Sequence, residues 1–352
     1  MIMNITIVTR EELTLINTIK PVLSAQTHFI LANFLISCML FVASVGIVAN
    51  TLVIITYIKV GLSETINISY LALGISDLSV SVLRFWTTIC FTFHLTNIGL
   101  PFDPTTVSVT TGFYPGQGFE KTTAFITAFI ALERCLCVLF PLHVRTMVTR
   151  RKTIICIFLI YIFVFVPSNF IHMVLPLKWV FNPAQNRTIL AIVPLRTPLR
   201  YITTRALLAY YGTILHFTAL IAVWICTIFL ALGLKRKAHI KRDNFKISHA
   251  QQDKQKERRV IKTVVMLAVT YLACFTPTAA TMLVPHFVPE FESNRGLARI
   301  STISHMISGL LAQVNSSANL FIYIYMGSKF RNTFLMLCSK RNPRAQLIAN
   351  LP

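Results

Sequence analysis

Several places along this sequence set a polar or ionisable side chain inside an apolar stretch. They are Asn50, Asp77, the pair Glu133-Arg134, and the run Asn315-Ser316-Ser317-Ala318-Asn319-Leu320-Phe321-Ile322-Tyr323. An ionisable group at the centre of a membrane span costs about 2.5–3.5 kcal/mol on insertion scales, so such groups are by default functional. A lone Asp in an apolar helix must be paired, hydrated, ion-bound or protonated. Asn50, Asn315, Ser316 and Asn319 supply the amide and hydroxyl partners that Asp77 needs, and Thr123 completes a small oxygen-lined pocket. One carboxylate among neutral oxygens suits a monovalent cation such as Na+. The plainer reading is a hydrated hydrogen-bond network that ties helices together.

Arg134 keeps its proton at any relevant pH and needs an acidic neighbour inside a closed bundle. Glu133 is adjacent, and Glu257 opens a later apolar stretch from the same side. An Arg134–Glu257 pair would tether two helix ends, and breaking it would open a cavity between them. Alternatively, Glu133 and Arg134 simply snorkel to the interface. Pro277, in Cys274-Phe275-Thr276-Pro277, removes a backbone donor and kinks its helix, with Phe275 packed beside the bend.

The elements that must hold these residues are membrane spans. Charged residues are 13% of 352 and hydrophobic residues 55%, against about 25% charged in soluble chains; with a mean hydropathy of +0.66, lipid is the solvent. The sequence predicts seven spans, near Phe29–Ile58, Ile66–Leu95, Phe119–Phe140, Thr153–Leu175, Ala206–Leu234, Val260–Phe287 and Ile300–Met326. A cleaved signal peptide is not expected, because residues 1–28 carry Glu11 and Glu12 and lack an apolar run. With the N-terminus outside, the inner loops, helix ends and tail hold 21 of the 33 Lys and Arg residues. The positive-inside rule therefore predicts an extracellular N-terminus over residues 1–28, a bundle over 29–326 and a cytoplasmic tail over 339–352. The inner basic loop also attracts anionic lipid.

Between bundle and tail, Gly327 through Cys338 place Phe330 and Phe334 one turn apart amid Lys329 and Arg331, which suits a short amphipathic eighth helix at 327–338. Cys338 then lies at the depth of an acylation site. On the outer side, Glu120, Lys121, Arg84, His216, His286 and His305 are candidate ligand-pocket residues, although Glu120 and Lys121 could merely neutralise each other. Asn4-Ile5-Thr6 and Asn186-Arg187-Thr188 are outward glycosylation sequons.

In order, Gly46-Ile47-Val48-Ala49-Asn50, Leu73-Gly74-Ile75-Ser76-Asp77-Leu78, Glu133-Arg134-Cys135, Cys274-Phe275-Thr276-Pro277 and Asn319-Leu320-Phe321-Ile322-Tyr323 resemble the five span motifs of the rhodopsin-like (class A) G-protein-coupled receptors. The resemblance covers essentially all seven spans. It implies a seven-transmembrane helix bundle at the plasma membrane and a cytoplasmic switch built on Glu133, Arg134, Glu257, Asn319 and Tyr323. It also implies a heterotrimeric G protein and arrestin as partners and an extracellular small-molecule or peptide ligand. The departures are Cys135 for Tyr, Leu320 for Pro, the missing family Trp of helix four and Pro of helix five, and no Cys from Phe91 to Arg134 or from Ile157 to Ala206. The family's tie between helix three and the second outer loop is therefore missing, while Cys38 and Cys90 could either pair or remain free. Such erosion looks like invertebrate, especially molluscan, chemosensory and orphan peptide-receptor-like groups, so the expected function is transduction of a chemosensory cue.

The alternatives are a neuropeptide-type receptor of the same fold and a seven-helix ligand-gated channel with its N-terminus inside. A transporter would need an inverted repeat and a second broken helix, neither of which the sequence offers. No nucleophile–base pair or metal cluster converges, so an enzyme is not expected, and no basic-aromatic module argues for nucleic acid.

Overall fold

The computed structural model describes residues 22–92, 98–139, 147–168, 175–183, 186–193, 209–240, 249–288 and 297–338, with a few isolated positions between them. Helix α1 spans Ala25–Val60, α2 Thr65–Cys90, α3 Tyr114–Leu139 and α4 Arg150–Ser168. Strands β1 (Leu177–Asn182) and β2 (Arg187–Ile192) follow. Helix α5 spans Leu215–Ile240, α6 His249–Phe287, α7 Ala298–Met326 and α8 Ser328–Cys338. Helix α1 packs on α2 and α7, α6 on α5 and α7, and α3 touches α2, α4, α5 and α6, so α3 is the axial helix.

Local chemistry sets the helix ends. The Ser24 hydroxyl accepts from the Thr27 amide at 3.0 Å and opens α1. Gly61, at φ 90°, closes it by returning its N–H to the Tyr57 carbonyl at 3.1 Å. Gly46 lets α1 approach its neighbours, since a Cβ there would stand 2.5 Å from Ser81 Oγ and 2.6 Å from Ser317 Oγ. An apolar core is wrapped in an apolar surface, with polar side chains tucked between the helices. Phe29, Phe34, Phe41, Phe158, Phe163, Trp224 and Phe229 face outward, while Asn50, Asp77, Thr123, Glu133 and Ser316 are buried. Lipid on the outside rewards that arrangement, because the groups needing partners find them between helices.

By length and composition alone, α1, α2, the Leu215–Leu232 part of α5 and the Arg259–Pro285 part of α6 can cross a bilayer. Helices α3 and α7 carry much of the polar chemistry, which lowers their hydropathy. Several predicted edges move. The third span begins earlier: Asp103 caps a helical turn at Pro104–Ser108, accepting from the Thr105 amide at 3.2 Å, and a π turn at Val109–Phe113 leads into α3. Pro104 sits at the first helical position, where its missing donor costs nothing. Helix α6 starts eleven residues before the predicted Val260, because its leading Gln, Lys, Glu and Arg residues favour helix without needing lipid.

The hairpin of β1 and β2 was not foreseen. It pairs Leu177 with Ile192 through Asn182 with Arg187, and it docks on the approach to α3. Leu190 N donates to Pro101 O at 3.0 Å and Asp103 N to Leu190 O at 2.9 Å, while the Arg187 guanidinium holds the Gly99 carbonyl. All eight cysteines are free thiols, Cys38 and Cys90 included. Main-chain bonding therefore makes the connection for which the sequence offers no disulfide.

Candidate functional site

Three polar centres line the bundle at successive depths. In the middle, Asp77 on α2 accepts from Thr123 Oγ1 of α3 at 2.9 Å and from Asn319 Nδ2 of α7 at 2.5 Å. Asn50 on α1 donates to the Gly46 carbonyl at 3.0 Å and to the Ser316 carbonyl at 2.9 Å. Both carboxylate oxygens are thus bonded, and four helices meet at one network. Asn315 is buried on the same helix. Asn50 Oδ1 is a buried acceptor without a partner. A carboxylate, amide oxygen and hydroxyls without thiolate or imidazole form a hard-oxygen set that fits Na+. Among the described residues, no group of three or more His, Cys, Asp or Glu side chains could hold a metal.

At the inner end, Arg134 Nη2 lies 3.1 Å from Glu133 Oε1, and that oxygen also accepts from Thr65 Oγ1 of α2 at 2.5 Å. Glu133 is fully buried and its Oε2 has no hydrogen-bond partner; Arg134 Nε has none either. Among the described residues the acid that Arg134 meets is the adjacent one, braced by Thr65. The side chain of Glu257 lies outside the described residues. Beside the pair stands an aromatic cluster: the ring centroids of Tyr323 lie 5.3 Å from Tyr57, 4.9 Å from Tyr70 and 5.5 Å from Phe330 of α8. Such ring pairs add about 0.5–1.5 kcal/mol each beyond area burial. The Tyr70 and Tyr323 hydroxyls are buried without partners.

Toward the outer side, four of the six predicted pocket residues come together. Arg84 Nη2 of α2 lies 2.7 Å from Glu120 Oε2, and Lys121 Nζ lies 3.2 Å from Glu120 Oε1 and 3.2 Å from His216 Nδ1 of α5. A Lys ammonium only donates, so Nδ1 accepts and the imidazole proton sits on Nε2. Lys121 is 1% exposed and inside the bundle. The anticipated Glu120–Lys121 self-neutralisation is incomplete, because Arg84 shares the carboxylate. His216 leads onward to Phe275, 5.8 Å away between ring centroids, and Phe275 stacks on Tyr271 at 4.5 Å. Phe275 and Pro277 sit together on α6, where Pro277 leaves the Ala273 carbonyl without its helical donor.

The remaining candidates are scattered. His305 is exposed on α7, Asn186 is exposed at the hairpin turn with φ 48°, and Cys338 is exposed at the end of α8. Asn4 and the side chain of His286 lie outside the described residues. Sequence reasoning missed Thr65, Tyr57, Tyr70 and Gln313. Thr65 opens α2, one helix away from the acid that it braces, and no local pattern announces that meeting. Gln313, buried in α7 with neither amide atom bonded, was legible as one more polar residue within an apolar span.

The family described as 7 transmembrane receptor (rhodopsin family) matches residues 49–323. Neuromedin-U receptor 1 of Rattus norvegicus is 26% identical over 246 residues, covering 61% of this chain and 54% of that receptor. A galanin-like G-protein coupled receptor of Caenorhabditis elegans is 23% identical over 319 residues, covering 83% of this chain and 70% of its own length. The FMRFamide receptor of Drosophila melanogaster is 28% identical over 233 residues, 64% of this chain and 39% of that receptor. The chain thus spans about half the length of neuromedin-U receptor 1.

Proposed function

The chain belongs to the rhodopsin family of seven-transmembrane receptors, and from that premise we propose that it is a plasma-membrane receptor that passes an extracellular signal to a heterotrimeric G protein. The observation that carries this reading is the inner pair: Arg134 held at 3.1 Å by a buried Glu133, itself braced by Thr65. A guanidinium so held is a two-state element. At rest, acid and hydroxyl occupy it; when the inner ends of α3 and α6 separate, it is free to meet a partner's main chain. Pro277 gives α6 the bend about which its inner end swings, and Phe275 beside that bend couples the swing to whatever fills the outer cavity. The unpartnered Tyr323 and Tyr70 hydroxyls are donors waiting for a rearranged guanidinium or water. The opened inner cavity would also serve arrestin.

Sodium bound at Asp77, with oxygens of Asn50, Thr123 and Ser316, would neutralise the carboxylate and favour the closed arrangement. The names of the relatives support a peptide as the ligand rather than the chemosensory cue expected from sequence, since they are receptors for neuromedin U and FMRFamide and a galanin-like receptor. Glycosylation at Asn186 and acylation at Cys338 fit their exposure.

The test is nucleotide exchange on purified heterotrimers with membranes carrying the receptor. Arg134→Ala is expected to lower ligand-independent exchange at least tenfold while cell-surface density stays within twofold of wild type. Undiminished exchange at equal surface density would remove the coupling role of Arg134.

A further inference from the structure

Two cations and one carboxylate share the buried cluster of α2, α3 and α5. Arg84 is 5% exposed, Glu120 4%, Lys121 1% and His216 1%. With His216 accepting from Lys121, the imidazole is neutral and the cluster carries one uncompensated positive charge. Among the described residues no second acid stands at this level: Glu64, Glu133, Asp253 and Glu257 fall at inner helix ends, Asp103 caps the turn that leads toward α3, and Asp77 is already bonded to Thr123 and Asn319. A net charge inside a span is costly unless something neutralises it.

The same cluster presents donors without acceptors. Arg84 Nε is buried and unpartnered, and the guanidinium lies 5.4 Å from the centroid of the Phe113 ring, which supplies no carboxylate. Gln313 on α7 leaves both amide atoms unpartnered at 1% exposure. It lies six residues, about 9 Å at 1.5 Å per residue, outward of Asn319. Arg84 lies seven residues, about 10 Å, outward of Asp77. Because Asn319 and Asp77 are hydrogen-bonded, the two unsatisfied side chains stand at similar depth. Missing negative charge and missing acceptors thus occur at one depth of the bundle.

We infer that this cluster is a binding site for a carboxylate carried by the extracellular ligand, with Lys121 and Arg84 as its charge partners. The inference rests on the receptor reading above and deepens it by naming the ligand's chemistry. The carboxylate would compete with Glu120 for Lys121 and relax the Lys121–His216 contact. That releases the imidazole against Phe275, beside the Pro277 bend. Binding is then tied to α6 through three adjoining contacts: anion to Lys121, Lys121 to His216, and His216 to Phe275. The carboxylate could be the free C-terminus of a peptide or that of a small organic acid, and the probes must separate the two sources.

The experiment measures the Tm of purified full-length receptor in micelles, without G protein. The probes are tripeptides ending in Phe as free acid and as amide, together with hexanoate and hexanamide. Free acids are expected to raise Tm by about 3 °C, and the amides by less than 1 °C. A rise with the tripeptide acids alone assigns the site to peptide termini; a rise with hexanoate as well assigns it to small acids. Lys121→Gln is expected to abolish the rise and Lys121→Arg to keep it. Should Lys121→Gln fail to fold, Glu120→Gln serves: by removing the internal competitor it is expected to tighten binding of the same acids at least tenfold. Equal shifts from acids and amides, no shift from any acid, or weaker acid binding in Glu120→Gln would each overturn the inference. Exchange sensitive to Arg134 with no carboxylate effect defeats only this inference. A carboxylate effect with exchange indifferent to Arg134 defeats only the coupling assignment.

Discussion

Asp77 illustrates how a single costly side chain is made affordable inside lipid. Its two oxygens take the Thr123 hydroxyl and the Asn319 amide, so the acid never faces hydrocarbon and the three helices that supply or receive those bonds are held in register. Truncating one partner of such a buried charged network costs about 3–5 kcal/mol when it leaves a charge uncompensated. Asp77→Asn is a gentler change, since the amide keeps the shape and can bond to Asn319. It does, however, remove the formal charge that a sodium ion requires. If sodium binds there as proposed, each tenfold rise in free Na+ above its dissociation constant would add about 1.4 kcal/mol to the stability of the sodium-binding form. The expected outcome is a Tm that climbs on replacing choline with sodium in wild type and is flat in Asp77→Asn. An identical sodium response in the variant would leave Asp77 as a helix-joining group only.

Among the elements, the β1–β2 hairpin is the one whose role follows most directly from its bonds. It grips the chain entering α3 through Leu190 N to Pro101 O, Asp103 N to Leu190 O, and the Arg187–Gly99 contact. Three hydrogen bonds, at about 0.5–1.5 kcal/mol net each and more for the charged donor, hold more loosely than a covalent cross-link. The entry to α3 is therefore expected to open locally before the bundle unfolds. Arg187→Ala should speed hydrogen exchange in peptides covering 187–192 and 99–105 about tenfold, with peptides from α7 unchanged; unchanged exchange in both outer peptides would show that Arg187 does not hold the loop. This hairpin also marks where sequence reading ended. The long apolar helices, the polar residues within them and the Asp77–Thr123–Asn319 meeting were legible, because insertion cost singles out such residues wherever they occur. The hairpin was not, since its strands are short and its partner segment lies about ninety residues earlier. The charged cluster was half legible: Arg84, Glu120, Lys121 and His216 each stood out, but contacts spanning 36 and 95 positions depend on how α2, α3 and α5 pack. The start of α3 was obscured by Pro115, Gly116 and Gly118, and the Asp103-Pro104 capping signal upstream of them went unread.

For the molecule as a whole, direction is the property on which every other assignment depends. If Arg134 faces the cytosol, Glu120 and Lys121 face the exterior, and the hairpin must lie outside the cell. The 21 Lys and Arg residues that the sequence assigns to the inner loops, helix ends and tail argue for that side being cytoplasmic, because anionic lipid and the insertion machinery both retain basic loops there. A channel with a cytosolic N-terminus would invert every one of these positions. Asn186 reports the direction directly. It sits exposed in the hairpin turn with its sequon Asn186-Arg187-Thr188 intact, and only a lumenal turn meets the glycosylation machinery. Receptor from animal cells is expected to run as a glycoprotein whose mobility changes on treatment with a peptide N-glycosidase. Asn4→Gln with Asn186→Gln together should abolish that change, and Asn4→Gln alone should leave the part carried by the hairpin. A tag placed before residue 22 should stain on intact cells, and one placed after residue 338 only after permeabilisation. The reverse staining pattern would turn the bundle over, put the Glu120 cluster on the cytosolic side, and exclude both an extracellular ligand there and a G protein at Arg134.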